Sequence, residues 1–151
     1  MRLLALLVAL GPSVASSADE LALFKDAAST ILVERNLAIT EQGAYVCVSI
    51  EGKGPTPEQL ASYQKLGIRE VGSPNECECK EHEPSDQCFR KSSEQPACLL
   101  SISEFKFVAF TNASASVVES CGWPKGGGEV AQFEKREGTW VYVGASSHIV
   151  L

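Results

Sequence analysis

The residues with the most chemical potential in this chain are six cysteines, Cys47, Cys77, Cys79, Cys88, Cys98 and Cys121, and two histidines, His82 and His148. Four of them fall together as Cys77-x-Cys79-x-x-His82…Cys88, and thiolate with imidazole is a donor set for zinc. The spacings lack the paired two-residue gaps of the common zinc modules, however. An even cysteine count in a small exported chain reads instead as three disulfides. Six cysteines allow 15 pairings; a Cys77–Cys79 bridge would be badly strained, which removes three, and the others stay open.

The remaining candidates are weaker. Glu76, Glu78, Glu81, Glu83 and Asp86 make the cysteine-rich stretch acidic, but without the ligand ladder and central glycine of a calcium loop. It reads as solvated, and no metal site is assigned. Gly126-Gly127-Gly128 invites phosphate, yet Glu129 to Phe133 alternates like a strand where a phosphate loop needs a helix N-terminus. The glycines read as a turn. On strict alternation His148 shares a face with Trp140 and Tyr142, and this aromatic-plus-histidine face is a possible pocket or partner surface. The alternative puts Trp140 and Tyr142 under the first helix and leaves His148 in an exposed tail. Gly-x-Ser-x-Gly does not occur, and an even cysteine count disfavours a free thiol nucleophile, so no catalytic residue and no cofactor is assigned. Asn112-Ala113-Ser114 fits the glycosylation pattern.

Elements to position these groups can be read in order. Asp19 to about Leu37 has Leu21, Phe24, Ala28, Ile31 and Leu32 at helical spacing, with Asp19 and Glu20 suited to the positive end of the dipole. Tyr45 to Ile50 alternates as a strand with Val46, Val48 and Ile50 on one face. Thr56, Pro57 and Gln59 form a capping box for a second helix carrying Leu60, Tyr63 and Leu66, stopped at Gly67. A short strand over Ile68 to Val71 completes a small β-α-β unit. From Gly72 to Cys98 no periodicity is visible, and disulfides must staple this long loop to the body. In the loop-entropy view a bridge closing about 15 residues is worth roughly 3 kcal/mol.

After Cys98 the pattern is antiparallel. Cys98, Leu100 and Ile102 share one parity and Phe105, Phe107 and Ala109 the other, which predicts a bulge near Ser103-Glu104. Thr111 to Ser114 is read as a turn into a strand over Val117 to Trp123. Pro124 to Gly128 is the connection to a strand over Glu129 to Lys135. A hairpin with Gly138 at its turn leads into Trp140 to Gly144, and Ser146 to Leu151 extends it. The expected fold is α+β: an N-terminal helix, a β-α-β unit, then a meander of about four strands.

The chain has 151 residues, 44% of them hydrophobic, enough for one domain with a core. Arg2, the apolar run Leu3 to Leu10, Gly11-Pro12 and the small residues at Ala15 to Ser17 form an export signal over 1–18, cut between Ala15 and Asp19. The apolar run is far below the roughly 20 residues of a spanning helix, so no membrane anchor is expected after cleavage. With 12 basic and 19 acidic side chains left, the mature domain 19–151 carries a net −7. That balance excludes a dedicated nucleic-acid binder.

The stretch Val46-Cys47-Val48-Ser49-Ile50-Glu51-Gly52-Lys53-Gly54-Pro55-Thr56-Pro57-Glu58-Gln59-Leu60, together with the Phe133 to Val143 hairpin and its Gly-x-Trp, resembles uncharacterised exported bacterial proteins. The helices-then-meander order is similar to cystatin-like and nuclear-transport-factor-two-like folds. The first resemblance implies a periplasmic or secreted setting and carries no activity. The leading expectation is a small exported binding module for a protein or small ligand. An inhibitor of a secreted hydrolase acting through the acidic loop, and an enzyme using His148, are the alternatives. Mass spectrometry of unreduced exported protein is expected to show a start between Ala15 and Asp19 and six hydrogens missing. Several free thiols, or stoichiometric zinc, would overturn the oxidised reading.

Overall fold

The computed structural model describes residues 17–39, 44–65, 70–81, 87–122 and 126–150, with the backbone alone for 38, 39, 64 and 147–150. Residues 1–16, which hold most of the expected export signal, and 40–43, 66–69, 82–86, 123–125 and 151 lie outside the described residues. The elements are α1 (Ser17–Ile39), β1 (Tyr45–Ile50), α2 (Pro57–Lys65), β2 (Val71–Gly72), a 3-10 turn (Pro74–Glu76), β3 (Cys77–Lys80), β4 (Gln87–Arg90), β5 (Ala97–Ala109), β6 (Asn112–Ser120), β7 (Gly126–Arg136) and β8 (Thr139–Val150). The fold is α+β, weighted towards β. Six strands form one sheet in the order β2-β1-β5-β6-β7-β8, and β3 and β4 form a separate hairpin. β1 runs parallel to β2 and to β5; every later pair is antiparallel.

Local chemistry explains several of these elements. The α2 capping box forms: the Thr56 N–H donates to Gln59 Oε1 at 2.9 Å and the Gln59 N–H to Thr56 Oγ1 at 3.2 Å. The expected bulge in β5 is there, with Glu104 at φ 52° where register shifts between Ser103 and Lys106. It turns Phe105 to the same side as Ile102, so both join the core. Glu137 and Gly138 both have positive φ, the requirement of a two-residue primed turn between β7 and β8.

Three expectations are corrected. The stretch 72–98 is not a bare loop: it holds the end of β2, the 3-10 turn and the β3–β4 hairpin, too short for periodicity to reveal. Gly126, Gly127 and Gly128 are not a turn but the start of β7, paired with β6 on one side, and Gly127 and Gly128 also with β8 on the other. The turn read at Thr111 to Ser114 falls earlier, at Phe110-Thr111, and β6 begins at Asn112.

α1 lies across one face of the sheet, and Phe24 is its deepest contact. The Phe24 ring centroid is 4.8 Å from Trp140, 5.4 Å from Phe133, 5.8 Å from Phe107 and 6.1 Å from Phe105. Ala113, Ala115 and Ala131, all fully buried, belong to the same core cluster. Val46, Val48, Leu100 and Ile102 continue this face under α1 and α2. A smaller cluster on the opposite face contains Tyr45, Cys47, Cys77 and Ala97.

Tyr63 of α2 is fully buried, and among the described residues its hydroxyl has no hydrogen-bond partner. Burial, with a smaller contribution from the Asp26 carboxylate, pushes its pKa up to about 12. The folded protein therefore holds the phenolic proton more tightly than the unfolded chain, whose tyrosine titrates near 10. The associated stability is complete below about pH 10 and is lost as pH rises towards about 12. Tyr63→Phe is expected to stabilise the protein at neutral pH by about 1 kcal/mol, because no unpaired hydroxyl is then buried. It should also flatten the alkaline decline in urea midpoints; a loss of stability at neutral pH would contradict the packing described.

Candidate functional site

The six cysteines form three bridges: Cys47–Cys77, Cys79–Cys88 and Cys98–Cys121. Cys47–Cys77 fastens the hairpin to β1 across the smaller cluster. Cys79 and Cys88 face each other directly in the β3–β4 register. Cys98–Cys121 ties β5 to the residue following β6. Cys98, Cys121 and Glu119 bring their ligand atoms within 4.8 Å of one another, and the Glu119 carboxylate is 3.3 Å from Cys121 Sγ. Sulfurs already joined in a disulfide are poor metal donors, so this group does not act as a metal centre in the oxidised protein.

The hairpin is also held by a polar network. Glu76 Oε2 accepts from the Ser73 N–H at 2.7 Å, and Tyr45 Oη donates to Glu76 Oε1 at 3.2 Å. The Arg90 guanidinium lies 4.2 Å over the Tyr45 ring. Gly72 must lack a side chain here, since a Cβ would fall 2.1 Å from Tyr45 Oη and 2.3 Å from Glu76 Oε2. Glu76 is thus a structural anchor, whereas Glu78 and Glu81 are exposed. Glu83, Asp86 and His82 lie outside the described residues.

The proposed aromatic-plus-histidine face is mostly covered. Trp140 packs under α1 and is 8% exposed. Tyr142 packs edge-on to Phe133 and lies beneath Arg35 of α1, whose guanidinium is 4.4 Å over its ring. Arg35 is ion-paired with Glu129, which also accepts from Tyr142 Oη at 3.5 Å. Burial first, then the Glu129 carboxylate, raises the Tyr142 pKa. This cluster clamps the second half of α1 to β7 and β8. Two register shifts lie between Tyr142 and His148 in the β7–β8 pairing. His148 sits opposite Glu129 in the backbone register, and its side chain lies outside the described residues.

Sequence reasoning missed a different group. β5 and β6 meet at a tight turn that carries Phe107, Val108 and Phe110, with exposures of 38%, 63% and 94%. Phe107 stacks on Trp140 at 5.8 Å, so the tip is continuous with the core. The adjoining β7–β8 turn braces it, the Lys135 N–H donating to Thr111 O at 2.7 Å. Lys135 lies 5.7 Å over the Trp140 ring, and Lys106 on β5 and Arg136 at the end of β7 are exposed. A signal was available: Phe105-Lys106-Phe107-Val108-Ala109-Phe110 is too apolar for a strand end whose alternate residues face water.

Set against protein-family models, curated proteins and solved structures, the chain finds no match. The site's own chemistry must carry the functional argument. Among the described residues, no helix is long and apolar enough to cross a membrane. Three disulfides indicate an oxidising environment.

The three bridges differ in access. Cys79 is exposed, whereas Cys47 and Cys77 are 1% and 6% exposed, and Cys98 is 3% exposed behind a half-buried Cys121 with a carboxylate beside its sulfur. Partial reduction with a phosphine, followed by alkylation and peptide mapping, is expected to label Cys79 and Cys88 first. First labelling at Cys47 and Cys77 would show that the hairpin does not cover β1 as described.

Proposed function

We propose that this protein is a small exported binding module, periplasmic or secreted, that engages its partner through the β5–β6 tip and performs no catalysis. The observation that carries this reading is Phe110, 94% exposed at the turn with Val108 and Phe107 beside it. Large apolar side chains left in water close together mark contact sites, and these three fall within residues 107–110. These are also braced from behind by Trp140 and by the Lys135–Thr111 hydrogen bond, so little ordering is needed on contact. The export signal at the N-terminus and the three disulfides support the compartment.

A second reading is favoured by the β3–β4 hairpin, which is crosslinked within itself and to β1. Strands β3 and β4 crosslinked in this way suit a hairpin that enters a basic cleft, as in an inhibitor of a secreted hydrolase.

One comparison separates the two. The exported, oxidised protein is incubated with envelope fractions, alongside a Val108→Ser/Phe110→Ser variant and a Glu78→Gln/Glu81→Gln variant. Both variants should keep the wild-type melting temperature to within a few degrees, since the replaced side chains are exposed. Loss of retention in the tip variant alone is expected. Loss in the carboxylate variant alone would move the site to the hairpin, and equal retention of all three would end both readings.

A further inference from the structure

We propose that the partner of the β5–β6 tip is an anionic phospholipid surface, into whose interface Phe110 and Val108 insert. The inference rests on the binding reading above and names what is bound.

Shape is the first argument. β5 ends at Ala109 and β6 begins at Asn112, so Phe110 projects from a two-residue turn as a convex point. A convex apolar tip has no walls to enclose a small ligand or a peptide, and it fits a deformable apolar medium. Phe107, lower on the same strand and stacked on Trp140, would sit at the level of the head groups.

Charge is the second. The chain as a whole carries a net −6, with 19 acidic residues. Between Glu104 and Glu119, nevertheless, there is no acidic residue, and the one charge is Lys106. The neighbouring β7–β8 turn adds Lys135 and Arg136; Arg136 pairs with Glu134 at 2.7 Å, and Glu137 is the nearby acid left at the turn. An acidic protein would be repelled by an anionic membrane in most orientations. This end presents apolar side chains flanked by amines, and long lysine stems can lie along the interface with their charge at the phosphates.

Protein-free vesicles test this. Oxidised exported protein is sedimented with phosphatidylcholine vesicles and with vesicles containing phosphatidylglycerol. Binding is expected to be stronger with phosphatidylglycerol and to weaken with salt. Phe110→Ser should lower the partition coefficient about tenfold. Lys106→Gln with Lys135→Gln should remove most of the preference for phosphatidylglycerol. Circular dichroism and melting temperature confirm the fold of each variant. Absence of sedimentation with either vesicle, or unaltered binding by Phe110→Ser, overturns the inference. So does a wild-type dimer that Phe110→Ser converts to monomer, which would make a second copy the occupant. If vesicles fail while the tip variant still loses envelope retention, the lipid inference falls alone and a protein partner replaces it; if both assays are indifferent to the tip, the binding reading falls with it.

Discussion

The packing of Phe24 against the sheet is the contact on which both the core and the exposed tip depend. One ring from α1 touches four aromatic side chains on β5, β7 and β8, drawing the helix across the strands. Interiors are close-packed, and Ala113, Ala115 and Ala131 are buried in the same cluster as this ring. Removing the Phe24 ring would uncover the indole of Trp140, 4.8 Å away. The tip would then lose its backing, because Phe107 rests on the outer side of that indole. The surface proposed for binding is therefore the rim of the core and shares its rigidity.

The other face of the sheet solves a different problem. Tyr45, Cys47, Ala97 and Leu99 form too small an apolar cluster to hold a covering element by burial alone. The Cys47–Cys77 bridge holds it covalently, and within that constraint short-range polar contacts become affordable. Glu76 accepts from Ser73 and Tyr45, Arg90 covers the Tyr45 ring, and the bare Gly72 leaves room for both side chains. Here sulfur chemistry takes the place that α1 occupies opposite.

How far this architecture can be read from sequence follows from how local each signal is. The α2 capping box, the β5 bulge, the Gly138 turn, the parallel β-α-β unit and the four-strand meander depend on residues close together, and all were legible. The β3–β4 hairpin was hidden because each strand is four residues long and a disulfide, rather than an alternating apolar face, stabilises it. Gly126 to Gly128 misled because glycine signals turns, whereas here partners already in place hold the strand; a Cβ on Gly126 would sit 3.0 Å from Glu119 O. The two register shifts in β8 between Tyr142 and His148 leave no mark in residue type except Gly144, at φ 145°. The tip itself was written in the sequence but read as ordinary strand, since nothing local says where a strand outgrows its covering helix.

Those register shifts bear on how the protein meets other molecules. β8 is a long edge strand, and such edges invite pairing with foreign strands unless they are disrupted. Two register shifts and Gly144 disrupt it. The fold thus discourages association through its backbone while leaving Phe110 in water, where the side chain contributes almost nothing to stability. A serine there would cost the fold little and remove an aggregation hazard. Folding accounts for Phe24, Trp140 and Phe107, but it does not account for Phe110. On the binding reading proposed here, its presence near Lys106, in an acid-free stretch of an acidic chain, answers to the surface the tip meets and not to the domain that carries it.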